Sequence, residues 1–326
     1  MNPSQACDKD PKVLRWAIFF VAGWYLFLCT VHYFNQRLMW NDEECVFLSI
    51  RSFSPQELFH RSLLAIQVFP RLYLLGIQQF SKHFDFHLLA LRFFPFVAMI
   101  SAFGVWLKIA DHEIKDRWSY FLFIASWAGS VTMIYYAAEL KQYSMDVLIA
   151  SVIIWFCLHQ KDWEKKMPTV LGLGLFLIPW GLMLSYTTFF FLVFPLFNLV
   201  QAVREGRLKL SYLIVFMMSL SLAVYCSYQY DMRFREIDVL NEDWGKRFIS
   251  FKSPLDFLTT TQEGINNLFS RWFIERPRYL KGFVRFFMLF GLGWLMVCCF
   301  RHLRPHWVRW NSLDQIASVE IGRAHV

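Results

Sequence analysis

Long apolar runs separated by short polar breaks fill most of the chain from residue 16 to residue 300. The hydrocarbon core of a bilayer is about 30 Å thick and is crossed by ~20 apolar helical residues, so each run is a candidate span. Eight spans are predicted, at residues 16–34, 88–110, 118–138, 145–159, 168–184, 188–203, 210–228 and 283–300. The pattern predicts an all-α polytopic membrane protein with one transmembrane domain over residues 1–300 and a cytoplasmic tail over residues 301–319.

The segment between the first two predicted spans has a different, mixed pattern. A Ser54-Pro55 pair is typical of a helix start. The apolar stretch 69–80 is shorter than a span needs and carries Arg71, Gln78 and Gln79. We therefore expect interfacial helices in this first loop, with stretch 69–80 lying along the membrane surface rather than crossing it.

Composition agrees with this class, and the basic residues set its orientation. The chain is 56% hydrophobic and carries a net charge of +8, but its 33 Lys and Arg residues form small groups between apolar runs. A nucleic-acid-binding protein would instead collect them on one face. The short basic groups at the N-terminus and after residues 110, 159, 203 and 300 mark cytoplasmic loops by the positive-inside rule. The N-terminus is thus expected in the cytoplasm, and the loops at 35–87, 139–144, 185–187 and 229–282 on the outer face.

Charged residues gather at the predicted outer face. Three acids occupy positions 42–44, Arg92 lies at the outer end of the second span, and Glu139 and Lys141 lie in the break 139–144. The ordinary explanations are a solvated acidic loop and cations that snorkel from helix ends. Acids and cations on one face also suit a site that accepts a proton from a hydroxyl nucleophile and stabilises a phosphate leaving group.

Four short motifs occur in an order that one family of membrane enzymes shows. They are Asp42-Glu43 after the first span, Gln67-Val68-Phe69-Pro70 with Leu72-Tyr73, Ala90-Leu91-Arg92 opening the next span, and residues 135–146 with the sequence YYAAELKQYSMD. In these motifs the chain resembles the GT-C superfamily of membrane glycosyltransferases, in particular bacterial relatives of the protein mannosyltransferases, glycosyltransferase family 39. The resemblance implies a GT-C-type helix bundle in the bacterial inner membrane. It also implies transfer of a sugar from a polyprenyl-phosphate donor at the outer face.

The resemblance further implies roles for individual residues. Asp42, assisted by Glu43, would take the proton of the acceptor hydroxyl as general base, and transfer would invert the anomeric carbon. Arg92 and Lys141 would bind the donor phosphate. Glu43 is expected to orient Arg92 or a sugar hydroxyl, and Glu139 to hold Lys141. The supporting residues are Glu139, Tyr143, Gln67 and Arg71.

The expected partners are a polyprenyl-phosphate-linked sugar, membrane lipids and an acceptor that is a lipid, a glycan or a protein. No cofactor is firmly implied: some GT-C enzymes use a divalent metal and others do not, and the acids leave room for one. Two positions depart from the family. Ser185-Tyr186 stands where many relatives have a histidine, and Pro70 is followed by Arg71 where relatives often have a second proline.

Two other function classes remain open from the sequence. A transporter or flippase of lipid-linked sugars would place charged residues in the middle of its spans, and Asp146, near the outer end of its span, is the nearest case. A scaffold subunit would need no matching acids and cations. The last residues, 320–326, resemble the translation of a sequencing adapter, so we expect a read-through artefact there and a longer natural chain.

Overall fold

The computed structural model describes residues 11–234, and helices and turns make up all the regular structure in that range. The α-helices are α1 (Pro11–Phe34), α2 (Asn41–Ser52), α3 (Pro55–His60), α4 (Arg71–Lys82), α5 (Leu88–Glu113), α6 (Arg117–Ala128), α7 (Val131–Tyr136), α8 (Tyr143–Lys166), α9 (Pro168–Leu177), α10 (Thr188–Phe191), α11 (Val193–Arg204) and α12 (Leu210–Tyr230). Short 3-10 turns lie at Leu64–Ile66, Ile178–Met183 and Met232–Phe234. The predicted span 283–300, most of the loop before it, the tail 301–319 and residues 320–326 lie outside the described residues.

Four helices in this range are long and apolar enough to cross a membrane. They are α1, α5, α8 and α12, with 24, 26, 24 and 21 residues. At a rise of about 1.5 Å per residue each exceeds the ~30 Å hydrocarbon core. Much of the apolar surface of α1 is exposed, including Trp16, Phe19 and Phe20, as expected for side chains that meet lipid. The prediction of an all-α membrane protein is therefore confirmed for the described residues.

The predicted span at residues 118–138 is not one continuous helix. Helix α6 ends at Ala128 and α7 begins at Val131. Gly129 has low helix propensity, and the Ser130 side chain accepts a hydrogen bond from the Met133 N–H to cap the new helix. The span predicted there is therefore made of two helices with a break between them rather than of one.

The two apolar runs that follow α8 have nearly the predicted bounds, but each is divided rather than one α-helix. The stretch Pro168–Met183 is α-helical only to Leu177, because Pro179 has no N–H to continue the hydrogen-bond ladder and the chain tightens into a 3-10 turn. The stretch Thr188–Arg204 divides at Leu192 into α10 and α11. Neither stretch reaches the length of the four long helices.

Helices α2, α3 and α4 form a small packed unit between α1 and α5. The start of α3 follows the prediction: the Ser54 side chain accepts a hydrogen bond from the Glu57 N–H, and the Glu57 carboxylate accepts one from the Ser54 N–H. Helix α4 has 12 residues, about 18 Å, and is too short to span, as predicted. The unit shares a core with the start of α5 and with the residues just before α8, formed by Val46, Ile50, Leu58, Leu63, Phe69, Tyr73, Leu74, Ile77, Leu91 and Leu140.

Packing among the long helices brings the charged residues to one end of the molecule. Helix α5 lies along both α8 and α1, and α12 packs against α9 and the 3-10 turn after it. Helix α1 ends, and α5 and α8 begin, at the end covered by α2 and α4. The candidate residues of the sequence analysis lie at this end.

Candidate functional site

Glu43, in the first turn of α2, is the buried centre of the site. Its side chain is 0% exposed. One carboxylate oxygen, Oε2, lies 3.0 Å from Arg92 Nη2 and 2.9 Å from Arg37 Nη1. The other, Oε1, accepts a hydrogen bond of 2.6 Å from the backbone N–H of Leu140. Two guanidinium groups and an N–H compensate the loss of hydration, so Glu43 fastens α2 to the segment after α1, to α5 and to the break before α8.

The break that precedes α8 is itself held rigidly. The backbone N–H of Lys141 donates to the carbonyl of Glu139 at 2.8 Å, and the phenol of Tyr73 donates to the carbonyl of Lys141 at 2.9 Å. Burial raises the pKa of Tyr73 well above its ordinary value, and nearby carboxylates raise it further, so the phenol stays protonated and remains a donor. The backbone that carries Lys141 therefore has little freedom.

Asp42 and Lys141 form an ion pair at the open side of this centre. Asp42 Oδ2 lies 2.7 Å from Lys141 Nζ, and the two side chains are 40% and 9% exposed. The ammonium also lies 4.9 Å from the ring centroid of Trp40 and 5.7 Å from that of Tyr143, close enough for cation–π attraction. Asp42 is thus an accessible carboxylate, whereas Lys141 is enclosed by a carboxylate and two rings. Glu44 is exposed.

Glu139 is buried close to Lys141, but the side-chain hydrogen bond of Lys141 is made with Asp42. Glu139 is 1% exposed, and its Oε2 has no hydrogen-bond partner among the described residues. Burial raises the pKa of Glu139 to about 7; the charge of Glu43 adds to this, and Lys141 and Arg37 oppose it. The ammonium of Lys141 pairs with Asp42 instead, because Asp42 reaches it from the open side.

Arg92 has a place different from the one predicted for it. Arg92 is only 1% exposed. Its Nη2 donates to Glu43, and its Nη1 donates to the backbone carbonyl of Arg37 at 2.8 Å. A phosphate cannot reach this guanidinium in the present conformation, so Arg92 is a positioning residue here. Arg37, which the sequence analysis missed, lies over the Tyr135 ring at 4.5 Å. Its signal in the sequence is a cation placed between the first span and the acids.

Arg71 contacts α3 and Asp231, and Gln67 follows a 3-10 turn. Arg71 is 2% exposed and donates to the carbonyl of Leu58 at 3.0 Å. Its Nε lies 3.5 Å from Asp231, which also accepts a hydrogen bond from the Tyr186 hydroxyl. Gln67 is half-buried at the end of a 3-10 turn, and its side chain takes no part in the ion pairs described above. The supporting roles expected for these two residues at the site stay predictions.

The turn at residues 185–187 contacts the start of α8. The Ser185 hydroxyl donates to Asp146 Oδ1 at 2.6 Å and lies 2.8 Å from the Thr187 hydroxyl. Among residues 11–234, no group of three or more His, Cys, Asp or Glu side chains is arranged to hold a metal ion.

An open apolar groove of about 460 Å³ lies on another side of α4. Its walls include Phe59, Leu72, Trp180 and Tyr230, from α3, α4, the 3-10 turn after α9 and the end of α12. Leu72 is next in sequence to Tyr73, whose phenol holds the Lys141 backbone. The groove and the charged site therefore share helix α4.

Comparison of the chain with protein-family models, with curated proteins and with solved structures finds no match. Function is therefore inferred from the site itself.

Proposed function

We propose that the protein is an integral membrane glycosyltransferase of the GT-C type. It transfers a sugar from a polyprenyl-phosphate donor to an acceptor hydroxyl at the outer face of the bacterial inner membrane, with its N-terminus in the cytoplasm. The observation that carries the proposal is the accessible carboxylate of Asp42, 2.7 Å from the ammonium of Lys141 at the end of the helix bundle. Such a pair offers a base for a hydroxyl and a cation for a phosphate.

The chemistry follows from these two groups. Asp42 accepts the proton of the acceptor hydroxyl while the hydroxyl oxygen attacks the anomeric carbon. The bond from that carbon to the phosphate oxygen breaks, and the lipid phosphate leaves with the electron pair. Lys141 stabilises the charge that develops on the phosphate. Attack opposite the leaving group inverts the anomeric carbon.

The remaining charged residues position this pair. Glu43 is completely buried, so it contacts neither sugar nor acceptor and acts by fixing α2 against Arg92 and Arg37. The apolar groove beside α4 suits part of an isoprenoid chain, because its walls present aromatic and aliphatic side chains.

A transporter of lipid-linked sugars has less support in the described residues. The central twelve residues of α1, α5, α8 and α12 contain no Asp, Glu, Lys or Arg. Arg92 and Asp146 lie within the first five residues of their helices, at the end where the site lies. A path across the membrane would require polar groups along these helices.

Sugar transfer from labelled polyprenyl-phosphate sugars to membrane acceptors tests the proposal. The full-length protein and its Asp42→Asn and Glu44→Gln variants are assayed with a panel of donor sugars. Loss of a general base should lower the rate by roughly 10²- to 10⁴-fold in Asp42→Asn. Glu44→Gln removes the same charge from an exposed neighbour and should keep its rate. Unchanged transfer in Asp42→Asn would remove Asp42 as the base, and no transfer by the wild-type protein from any donor would refute the proposed activity.

A further inference from the structure

We propose that the Asp42–Lys141 ion pair is an exchangeable contact that an isoprenyl phosphate opens: the phosphate takes the place of the Asp42 carboxylate on Lys141 and frees Asp42 to act as base. The inference deepens the proposed function and rests on it for the class of ligand. Its test measures binding and requires no sugar transfer.

The surroundings of Lys141 favour exchange over simple addition of a second anion. Trp40 and Tyr143 lie beside the ammonium, and Asp42 occupies its open side at 2.7 Å. The Lys141 side chain is only 9% exposed while that of Asp42 is 40% exposed. An anion that approaches from solvent therefore meets Asp42 first. It can contact the Lys141 ammonium only by displacing the Asp42 carboxylate.

Other cations of the site do not offer the same opening. Arg92 and Arg37 both contact Glu43, whose carboxylate is inaccessible to an incoming phosphate. Displacing Glu43 would leave its buried carboxylate without a counterion or water, which is strongly unfavourable. Displacing Asp42 leaves only an accessible carboxylate that water can solvate. Exchange at Lys141 is therefore the less costly of the two.

The exchange requires only a side-chain rotation. Glu43, the next residue of α2, is bound on both carboxylate oxygens, and the Lys141 backbone is held by Tyr73. Asp42 can leave the ammonium while the helix and the break keep their positions. Side-chain rotations of exposed residues are fast compared with a typical enzyme turnover.

Charge changes during transfer give this exchange a direction. Asp42 becomes neutral as it accepts the proton, and the phosphate gains negative charge as the sugar leaves. One ammonium thus faces two anions whose charges change in opposite directions. Lys141 should favour Asp42 before the donor binds and the phosphate once transfer is under way. Between turnovers the ammonium of Lys141 compensates the negative charge of Asp42. Asp42 is therefore not free to act as a base until a donor binds.

Binding of farnesyl phosphate to the full-length protein in detergent tests the exchange. Removing the competing carboxylate in Asp42→Asn should tighten binding about tenfold, a modest value for a close charge pair. Glu44→Gln removes one charge from the same helical turn without touching Lys141, and should change binding less than about twofold, as expected for a solvated charge. Lys141→Gln should weaken binding about tenfold and abolish the gain from Asp42→Asn in the double variant.

Three results would overturn the exchange: unchanged or weaker binding in Asp42→Asn, equal tightening in Glu44→Gln, or a gain that persists without Lys141. Farnesol, which lacks the phosphate, should bind all variants alike and so shows that they are folded. Inorganic phosphate that binds as tightly as farnesyl phosphate would also overturn it, because the ligand would then not be a lipid. Tighter binding in Asp42→Asn, together with no sugar transfer by the wild-type protein from any donor, would support the exchange and refute the proposed activity.

Discussion

Replacement of Glu43 by glutamine tests the buried centre of the site most directly. The change keeps the shape of the side chain but removes the negative charge that lies 3.0 Å from Arg92 and 2.9 Å from Arg37. The glutamine oxygen can take the place of only one carboxylate oxygen, and the NH₂ group in the other place faces a group that is itself a donor. At least one guanidinium or the Leu140 N–H therefore loses its partner.

The size of the effect follows from the burial of the partners. Breaking a buried ion pair from one side costs about 3–5 kcal/mol, because the remaining charge is left without compensation. Arg92 is 1% exposed and cannot turn to solvent, whereas Arg37 is 18% exposed and can relax in part. We therefore expect the lower end, about 3 kcal/mol of unfolding free energy.

Thermal unfolding of the purified protein in detergent measures this loss. For a chain of 326 residues, ~3 kcal/mol corresponds to a decrease in Tm of roughly 4–5 °C. Wild type, Glu43→Gln and Glu44→Gln are compared at one heating rate, because unfolding of membrane proteins is often irreversible. The exposed Glu44 should change Tm by less than about 2 °C. A Glu43→Gln protein that unfolds at the wild-type temperature would show that Glu43 does not fasten these elements.

Two further predictions concern a buried acid and a tight helix contact. The pKa of Glu139 is about 7 in the folded protein against an ordinary 4.5, so the folded state holds the proton between these values. The free energy of unfolding of the wild-type protein should thus fall by up to about 3 kcal/mol as pH rises from 4.5 to 7. The Tm of wild type and of Glu139→Gln is measured across this pH range, and parallel profiles of the two proteins would contradict the prediction. A Cβ at Gly174 would collide with the Phe156 ring, whereas one at Gly23 has nothing within 4 Å. Gly174→Ala should therefore lower the free energy of unfolding by about 1–3 kcal/mol, and Gly23→Ala should raise it by about 0.5–1 kcal/mol. Equal changes of Tm in the two variants would refute this reasoning.

The long spans were predictable because they depend on an average over many residues. Helices α1, α5, α8 and α12 each coincide with an apolar run, and the averaged hydropathy of such a run tolerates a few polar positions. The break at residues 129–130 was missed for the same reason. One Gly-Ser pair barely changes an average over 20 residues, yet it supplies both a weak helix position and a cap.

The sequence predicted which charged residues form the site better than it predicted which of them contact each other. The sequence indicated that acids and cations share one face, and the structure brings Asp42 to Lys141 and Glu43 to Arg92. Which acid meets which cation depends on the rotation of α2 about its axis, and that rotation is fixed by packing of residues such as Val46 against α4. No local pattern encodes it.

Helical geometry explains how neighbouring acids acquire different tasks. Successive residues of an α-helix point about 100° apart, so Glu43 faces the interior of the protein while Asp42 faces the open side. The break before α8 has the same arrangement: the Leu140 N–H binds Glu43, and the side chain of the next residue, Lys141, binds Asp42. The buried contact and the exposed contact are therefore adjacent on both chain segments. A shift of α2 by one residue would break the buried contact, so Glu43 fixes the register in which Asp42 and Lys141 meet.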